Sequence, residues 1–140
     1  MMEALGRLLN VAPIAAGTLI SLKDAAGVTF VCTGNDTFSL LSATTYNGST
    51  SALTAISRYY KSTSTAGAAA WTDSGDVTPV SSVTISSGTL VFYVDAADLP
   101  TSAEYVEVSV GASGLVAAIT HDLLTQRTPS NLRLLSGSSS

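Results

Sequence analysis

The side chains that could support catalysis are few and lie far apart in the 140-residue chain. His121 is the single histidine, and Asp122 follows it directly. A hydrolase triad needs a nucleophile, a base and an acid that orients the base. Neighbouring residues on a strand point to opposite faces, so Asp122 cannot orient His121 there, and the chain has no Gly-x-Ser-x-Gly turn to present a serine. We therefore predict that His121 forms hydrogen bonds at a strand end and that the protein is not an enzyme.

Metal binding and thiol chemistry are also disfavoured. Cys32 is the only cysteine, so it cannot form a disulfide within the chain, and with one distant histidine it cannot build a zinc site. It lies in an apolar run, which predicts a buried, inert thiol. The pairs Asp73/Asp76 and Asp95/Asp98 lack the spacing of a calcium loop and are typical of turns. We predict no metal site and no cofactor.

Three aromatic side chains could form a sugar-binding platform. Tyr59, Tyr60 and Trp71 lie close together in the sequence, and stacked aromatic rings on a β-sandwich would suit a carbohydrate. Core packing and an aromatic pair on the sheet surface explain them more simply. A carbohydrate-binding module is therefore an alternative function.

The composition favours a component of an assembly. Only 11% of the residues are charged, against about a quarter in an ordinary soluble domain, so burying the surface against other subunits costs little desolvation. The net charge is −4, and no Lys or Arg occurs between Lys61 and Arg127. This acidic balance argues against a nucleic-acid partner.

No segment suits a membrane or an exported leader. The apolar stretch from Leu8 to Ile20 is too short to span a bilayer, is interrupted by Pro13, and makes a poor signal peptide. We therefore predict no membrane partner and synthesis in the cytoplasm.

From Thr18 onward the hydrophobic pattern has a period of two. Short alternating runs are separated by turn residues such as Gly34-Asn35-Asp36, which is typical of many short antiparallel strands. The run Leu53–Lys61 is predicted to be one strand, because it is rich in β-branched and aromatic residues. The fold class predicted is all-β, an antiparallel β-sandwich or flattened barrel with extended N- and C-terminal arms.

The two ends of the chain are predicted to be arms outside this body. Residues 1–16 form the N-terminal arm, residues 17–121 the β-sandwich body, and residues 122–140 the C-terminal arm with a disordered Ser- and Gly-rich tail. Leu5, Leu8 and Leu9 have helical spacing that Pro13 ends. One short turn of this kind is too short to be stable alone and needs a partner surface.

Several loose patterns occur in the order found in a known group of proteins. Arg58-Tyr59-Tyr60-Lys61 is followed by Trp71-Thr72 and then by the segment 92–99. The last of the patterns is the segment 114–132, near the C-terminus. Together these cover most of residues 37–132. The chain thereby resembles small virion structural proteins of tailed phages that infect actinobacteria.

The resemblance implies a head decoration or minor capsid protein, located on the capsid surface of the virion and made in the host cytoplasm. Its implied partners are the major capsid protein and other copies of itself, as a trimer or dimer. Both arms would bind these partners, with Arg pairing to carboxylates and Leu filling pockets. The partner-binding residues predicted are Leu5, Leu8, Leu9, Arg127, Leu132, Arg133 and Leu134. A tail-tube or head–tail connector subunit is a further alternative.

Overall fold

The protein is an all-β sandwich of two antiparallel sheets. The computed structural model describes residues 9–15, 17–22, 25–46 and 48–122. Eleven strands and one 3-10 turn, Ala96–Asp98, are found in these ranges. The strands are β1 (Leu9–Ile14), β2 (Ile20–Ser21), β3 (Ala25–Thr33), β4 (Asp36–Ala43), β5 (Ser51–Ala52), β6 (Tyr59–Ser62), β7 (Trp71–Asp73), β8 (Ser82–Ile85), β9 (Thr89–Asp95), β10 (Tyr105–Val110) and β11 (Leu115–Asp122).

The strands divide into a large and a small sheet. The large sheet has six strands in the order β1-β11-β3-β9-β6-β7. The small sheet has the order β2-β10-β4-β5, and β8 pairs with β4 beside β5. Gly34 and Asn35 connect β3 of the large sheet to β4 of the small one, so the predicted turn is a crossing between layers. The sandwich rather than the barrel is therefore the architecture.

The core lies between the sheets and follows from the alternation of apolar residues. Phe38 and Leu40 of β4 point inward, as do Phe30 of β3 and Phe92 of β9, and all four are buried. The rings of Phe30 and Phe92 lie 5.5 Å apart between centroids. Because strand residues alternate between faces, the side chains between these positions lie on the outer faces.

The predicted N-terminal arm is too long. Residues Leu9–Ile14 pair with β11 from Leu9↔His121 to Ile14↔Val116, so β1 is an edge strand of the large sheet and the body begins near residue 9. The sequence predicts that Pro13 ends a helical turn, but proline is also tolerated in an edge strand, which has one unpaired side. Residues 1–8 and 123–140 lie outside the described residues, so the rest of both arms stays a prediction.

The single strand predicted over Leu53–Lys61 is also wrong. β5 ends at Ala52 and β6 begins at Tyr59, and between them Ile56 makes an isolated bridge to Val80. Leu53 and Ile56 are both buried in the core. These two residues therefore contribute to the core from a segment of irregular backbone. The composition of the run predicts a continuous strand instead.

Candidate interaction surface

The outer face of the large sheet is apolar and aromatic. Strand register places its side chains in rows across five strands. We call this set the apolar face; its described members are Leu115, Ala117 and Ile119 of β11, Thr29, Val31 and Thr33 of β3, Val91 and Tyr93 of β9, Tyr60 of β6, and Trp71 of β7. The most accessible are Leu115 at 71%, Trp71 at 51%, Tyr93 at 43% and Tyr60 at 40%. Four of the six large exposed hydrophobic residues are thus on one surface.

Charged groups lie only at the border of this surface, within the described residues. Arg58 and Asp73 form a two-pronged ion pair at the β6–β7 edge, and Arg58 Nη1 also donates to Asp76 Oδ1 at 3.1 Å. The hydrogen bonds that Arg58 donates to Asp73, and then the negative charge of Asp73, raise the pKa of Arg58. The Arg58 hydrogen bond and the backbone N–H of Gly75 lower the pKa of Asp73. The Arg58–Asp73 pair is partly exposed and electrically neutral, whereas Asp76 at the same edge and Asp95, which follows Tyr93 on the outer side of β9, leave the border of the apolar face negative.

A Tyr–His cluster lies at one end of the apolar face. The Tyr93 ring lies across Gly27, where a Cβ atom would overlap it, and meets the His121 ring edge-on with centroids 5.5 Å apart. Its hydroxyl donates to the Ala26 carbonyl at 3.3 Å. Burial, with the nearby charge of Asp95, raises the pKa of Tyr93. Gly27 thereby allows the ring to lie flat on the sheet instead of projecting from it.

His121 has the structural role predicted for it. Its Nε2 shares a hydrogen bond of 2.9 Å with Thr29 Oγ1 across β11 and β3. Asp122 ends β11, after a register shift between the two residues. Cys32 is fully buried in the core, and desolvation raises the pKa of its thiol to about 12. The thiol is therefore protonated at neutral pH, as expected for an inert cysteine.

Asp36 is a structural anchor that sequence reasoning assigned only to a turn. Its Oδ1 accepts from the backbone N–H groups of Thr37 at 2.7 Å and Gly111 at 2.8 Å, and its Oδ2 accepts from Gly114 at 2.8 Å. Ala112 N–H donates to both oxygens. Burial alone raises the pKa of Asp36, but these donors outweigh it and the net pKa lies below its ordinary value. The carboxylate thus fastens the β10–β11 turn to the start of β4.

The outer face of the small sheet has a different character. It carries the hydroxyl residues Thr37, Ser39, Ser82, Thr84 and Ser109, with Thr37 and Thr84 sharing a hydrogen bond of 2.7 Å. Glu107 lies on the same face and is buried. Burial therefore raises the pKa of Glu107.

A shallow cavity of about 330 Å³ lies between the β6–β7 and β8–β9 hairpins. Hydroxyl side chains line most of it, and Lys61 is the one charged group in its lining. Lys61 Nζ also lies 5.8 Å from the centroid of the Tyr59 ring. In the residues described, no group of three or more His, Cys, Asp or Glu side chains is placed to hold a metal ion.

The predicted aromatic platform is divided between two faces. Tyr60 and Trp71 belong to the apolar face, whereas Tyr59 lies on the opposite side of β6 and packs against the core. Of the predicted arm residues, Leu9 begins β1. Leu5, Leu8, Arg127, Leu132, Arg133 and Leu134 lie outside the described residues. The apolar face was not predicted as a site.

Comparison with known proteins assigns no family to the chain. No protein-family model matches the chain, and no curated protein matches it. The crystal structure of the SPBc2 prophage-derived protein YomS is similar with a TM-score of 0.43 at 15% sequence identity, covering 80% of this chain and 91% of that chain. Over the ranges described, no helix has the length and apolar character needed to cross a membrane. The function is therefore inferred from the surfaces of the chain itself.

Proposed function

We propose that the protein is a non-enzymatic structural component of a phage virion, a decoration or minor capsid protein on the outside of the head shell. The observation that carries this proposal is the apolar face, a broad sheet surface whose exposed members include Leu115, Trp71 and Tyr93. Contiguous apolar surfaces of this extent are typical of protein interaction sites. The sequence resemblance of residues 37–132 to phage virion proteins supports the same role.

A rigid body with one uncharged face suits repeated assembly. Burying uncharged side chains requires no ion pair to be matched at each contact, so the desolvation cost per copy is low. Asp36 and the core hold the body in one shape. The arms would add contacts to the shell through the predicted residues Leu5, Leu8, Arg127, Leu132, Arg133 and Leu134.

The position of the protein in the virion is tested by imaging particles of a phage that encodes it. We expect a density map of intact particles to show a body of this sandwich shape on the head exterior. Density in the tail tube or at the head–tail junction would replace the decoration role by the connector alternative. Absence of the chain from purified particles, measured by mass spectrometry, would contradict the proposal.

The arms are tested by truncation, and the structure changes which truncation is informative. Deleting residues 1–12 would remove most of β1, so the suitable N-terminal deletion stops at residue 8. We expect deletion of 1–8 or of 127–140 to leave a folded body with reduced binding to co-expressed shells. Undiminished occupancy of the shells by both truncated proteins would remove the arms from the account.

A further inference from the structure

We propose that the apolar face binds the same face of a second copy of this chain, forming a two-fold dimer of stacked large sheets. This inference deepens the proposed function, because it names the partner of the surface on which that function rests. In such a dimer the two faces would pack about 10 Å apart, as the sheets of a β-sandwich do. Each residue would contribute twice, once from each copy.

Charge is the first argument for a second copy as the occupant. The whole chain has a net charge of −4, so two copies approaching by most of their surface would bring acidic groups together. Glu104 and Glu107 lie just before and within β10 of the small sheet. Asp73 and Asp76 pair with Arg58 at one edge of the apolar face, whereas Asp95 and Asp98 lie close to Tyr93 at the end that carries the Tyr–His cluster. A partner of strong positive or negative charge would be recognised through complementary groups across the contact, but the outward positions of β3 from Gly27 to Thr33 and of β11 from Leu115 to His121 hold no Asp, Glu, Lys or Arg. A second copy needs none.

Area is the second argument. The apolar face spans β11, β3, β9, β6 and β7, which contain 8, 9, 7, 4 and 3 residues, and at about 3.3 Å per residue and about 4.8 Å between strands they cover roughly 500 Å². Stacking two such faces removes about 500 Å² from each copy, which reaches the total of about 1,000 Å² that a biological interface should clear. The face is therefore large enough for a dimer of moderate affinity.

Shape is the third argument. Stacking two sheets requires a level surface, and the largest ring on the three long strands of this one is Tyr93, in the Tyr–His cluster at one end. Gly27 allows that ring to lie along the sheet, where its hydroxyl donates to the Ala26 carbonyl and its edge meets His121. The central row consists of the short side chains Ala117, Val31 and Val91. A protruding loop or a groove-binding helix would suit this level face less well than another sheet.

The test is the mass of the full chain in solution, measured by sedimentation equilibrium from 1 to 200 µM, concentrations chosen to bracket a moderate-affinity dimer (about micromolar). We expect the wild type to approach twice the 14.2 kDa of one chain as concentration rises, with little change between low and high salt because no ion pairs are involved. Leu115→Glu, at an exposed position, and Val91→Glu, near the centre of the face, should each weaken dimerisation at least tenfold. Ser82→Glu adds the same charge to the outer face of the small sheet and should leave the mass unchanged.

Thermal unfolding of each variant separates a lost contact from a lost fold. Leu115 is 71% exposed, so we expect Leu115→Glu to have the same Tm as the wild type at concentrations where both proteins are monomeric. A wild type that stays monomeric at 200 µM would overturn the proposal, as would dimers equally sensitive to Ser82→Glu and Leu115→Glu. A dimer formed through this face by a protein absent from phage particles would refute the virion role and leave this inference standing.

Discussion

The two outer faces of the sandwich differ although they cover the same core. On the small sheet, the outward positions of β4, β8 and β10 carry five Ser or Thr residues, while the outward Tyr105 and Glu107 are buried, Tyr105 in a small cluster with Leu19 and Ala43. On the large sheet, the outward positions of β3, β9 and β11 carry Val, Ile, Leu, Ala and Tyr together with three threonines, with Asp95 and His121 near the strand ends, and Leu115 and Tyr93 are exposed. Burial of the core therefore does not require exposed large apolar side chains on the outside, since β4, β8 and β10 of the small sheet carry none. The apolar face is surplus to folding, and this is why we assign the interaction function to it.

The largest expected effect is a difference in unfolding free energy between substitutions on the inner and the outer side of β3. Phe30→Ala removes a ring from the common core and should lower the free energy of unfolding by about 3–5 kcal/mol. Its matched control is Val31→Ala, the next residue of β3, on the apolar face. There we expect about 1 kcal/mol or less, because that side chain is only half-buried. Chemical denaturation measures both changes, and equal losses would show that the apolar face is needed for folding.

The next effect concerns the anchor that joins the two sheets. In the wild type, the Asp36 carboxylate accepts hydrogen bonds from four backbone N–H groups. Asp36→Asn replaces one carboxylate oxygen by an NH₂ group, which cannot accept and faces backbone donors. The substitution should therefore lower the Tm at pH 7 by several degrees. The folded pKa of Asp36 lies below its ordinary value, so its stabilisation is present above an unfolded pKa of about 3.9 and is lost as pH falls through the folded pKa.

Melting curves from pH 7 to pH 2 measure this difference. The gap in Tm between wild type and Asp36→Asn should narrow as the medium becomes acidic. Asp98→Asn, at an exposed position in the 3-10 turn, is the control and should follow the wild type. A gap that is constant with pH would contradict the anchoring role of the carboxylate.

The smallest effect has the opposite pH dependence and belongs to the small sheet. Burial raises the folded pKa of Glu107. The stability linked to its protonation is therefore full below an unfolded pKa of about 4.3 and is lost as pH rises through the folded pKa. Glu107→Gln should equal or slightly exceed the wild type in Tm at pH 7 and match it below pH 4. Glu104→Gln, at an exposed neighbouring position, should change nothing, and a lower Tm for Glu107→Gln at pH 7 would show a contact that burial alone does not describe.

The sequence predicted the fold better than the site, for physical reasons. Alternation of apolar residues is a local signal, and the all-β sandwich that it predicts is confirmed. β1 was missed because Leu5, Leu8 and Leu9 have helical spacing, whereas the pairing with β11 is made more than 100 positions later in the chain. The Asp36 anchor was missed for the same reason, since most of its donors are 75 to 78 residues away.

The apolar face was hidden by its own composition. In the run from Val28 to Cys32 both faces of β3 carry apolar or small residues, and such a run is typical of a strand buried on both sides. Only the placement of the large sheet on one side of the sandwich shows that Val31 is on an outer surface. The arm residues beyond Asp122 stay predictions from sequence.

The measurement that tests the central claim most directly compares two tyrosines in one wild-type sample. Tyr93 on the apolar face and Tyr46 beside Tyr105 of the small sheet are 43% and 38% exposed, so hydroxyl radicals should modify them at similar rates in dilute protein. In concentrated or particle-bound protein, we predict that Tyr93 becomes protected several-fold while Tyr46 does not. Protection of Tyr46 alone, or of neither residue, would contradict the assignment of the interaction surface to the large sheet.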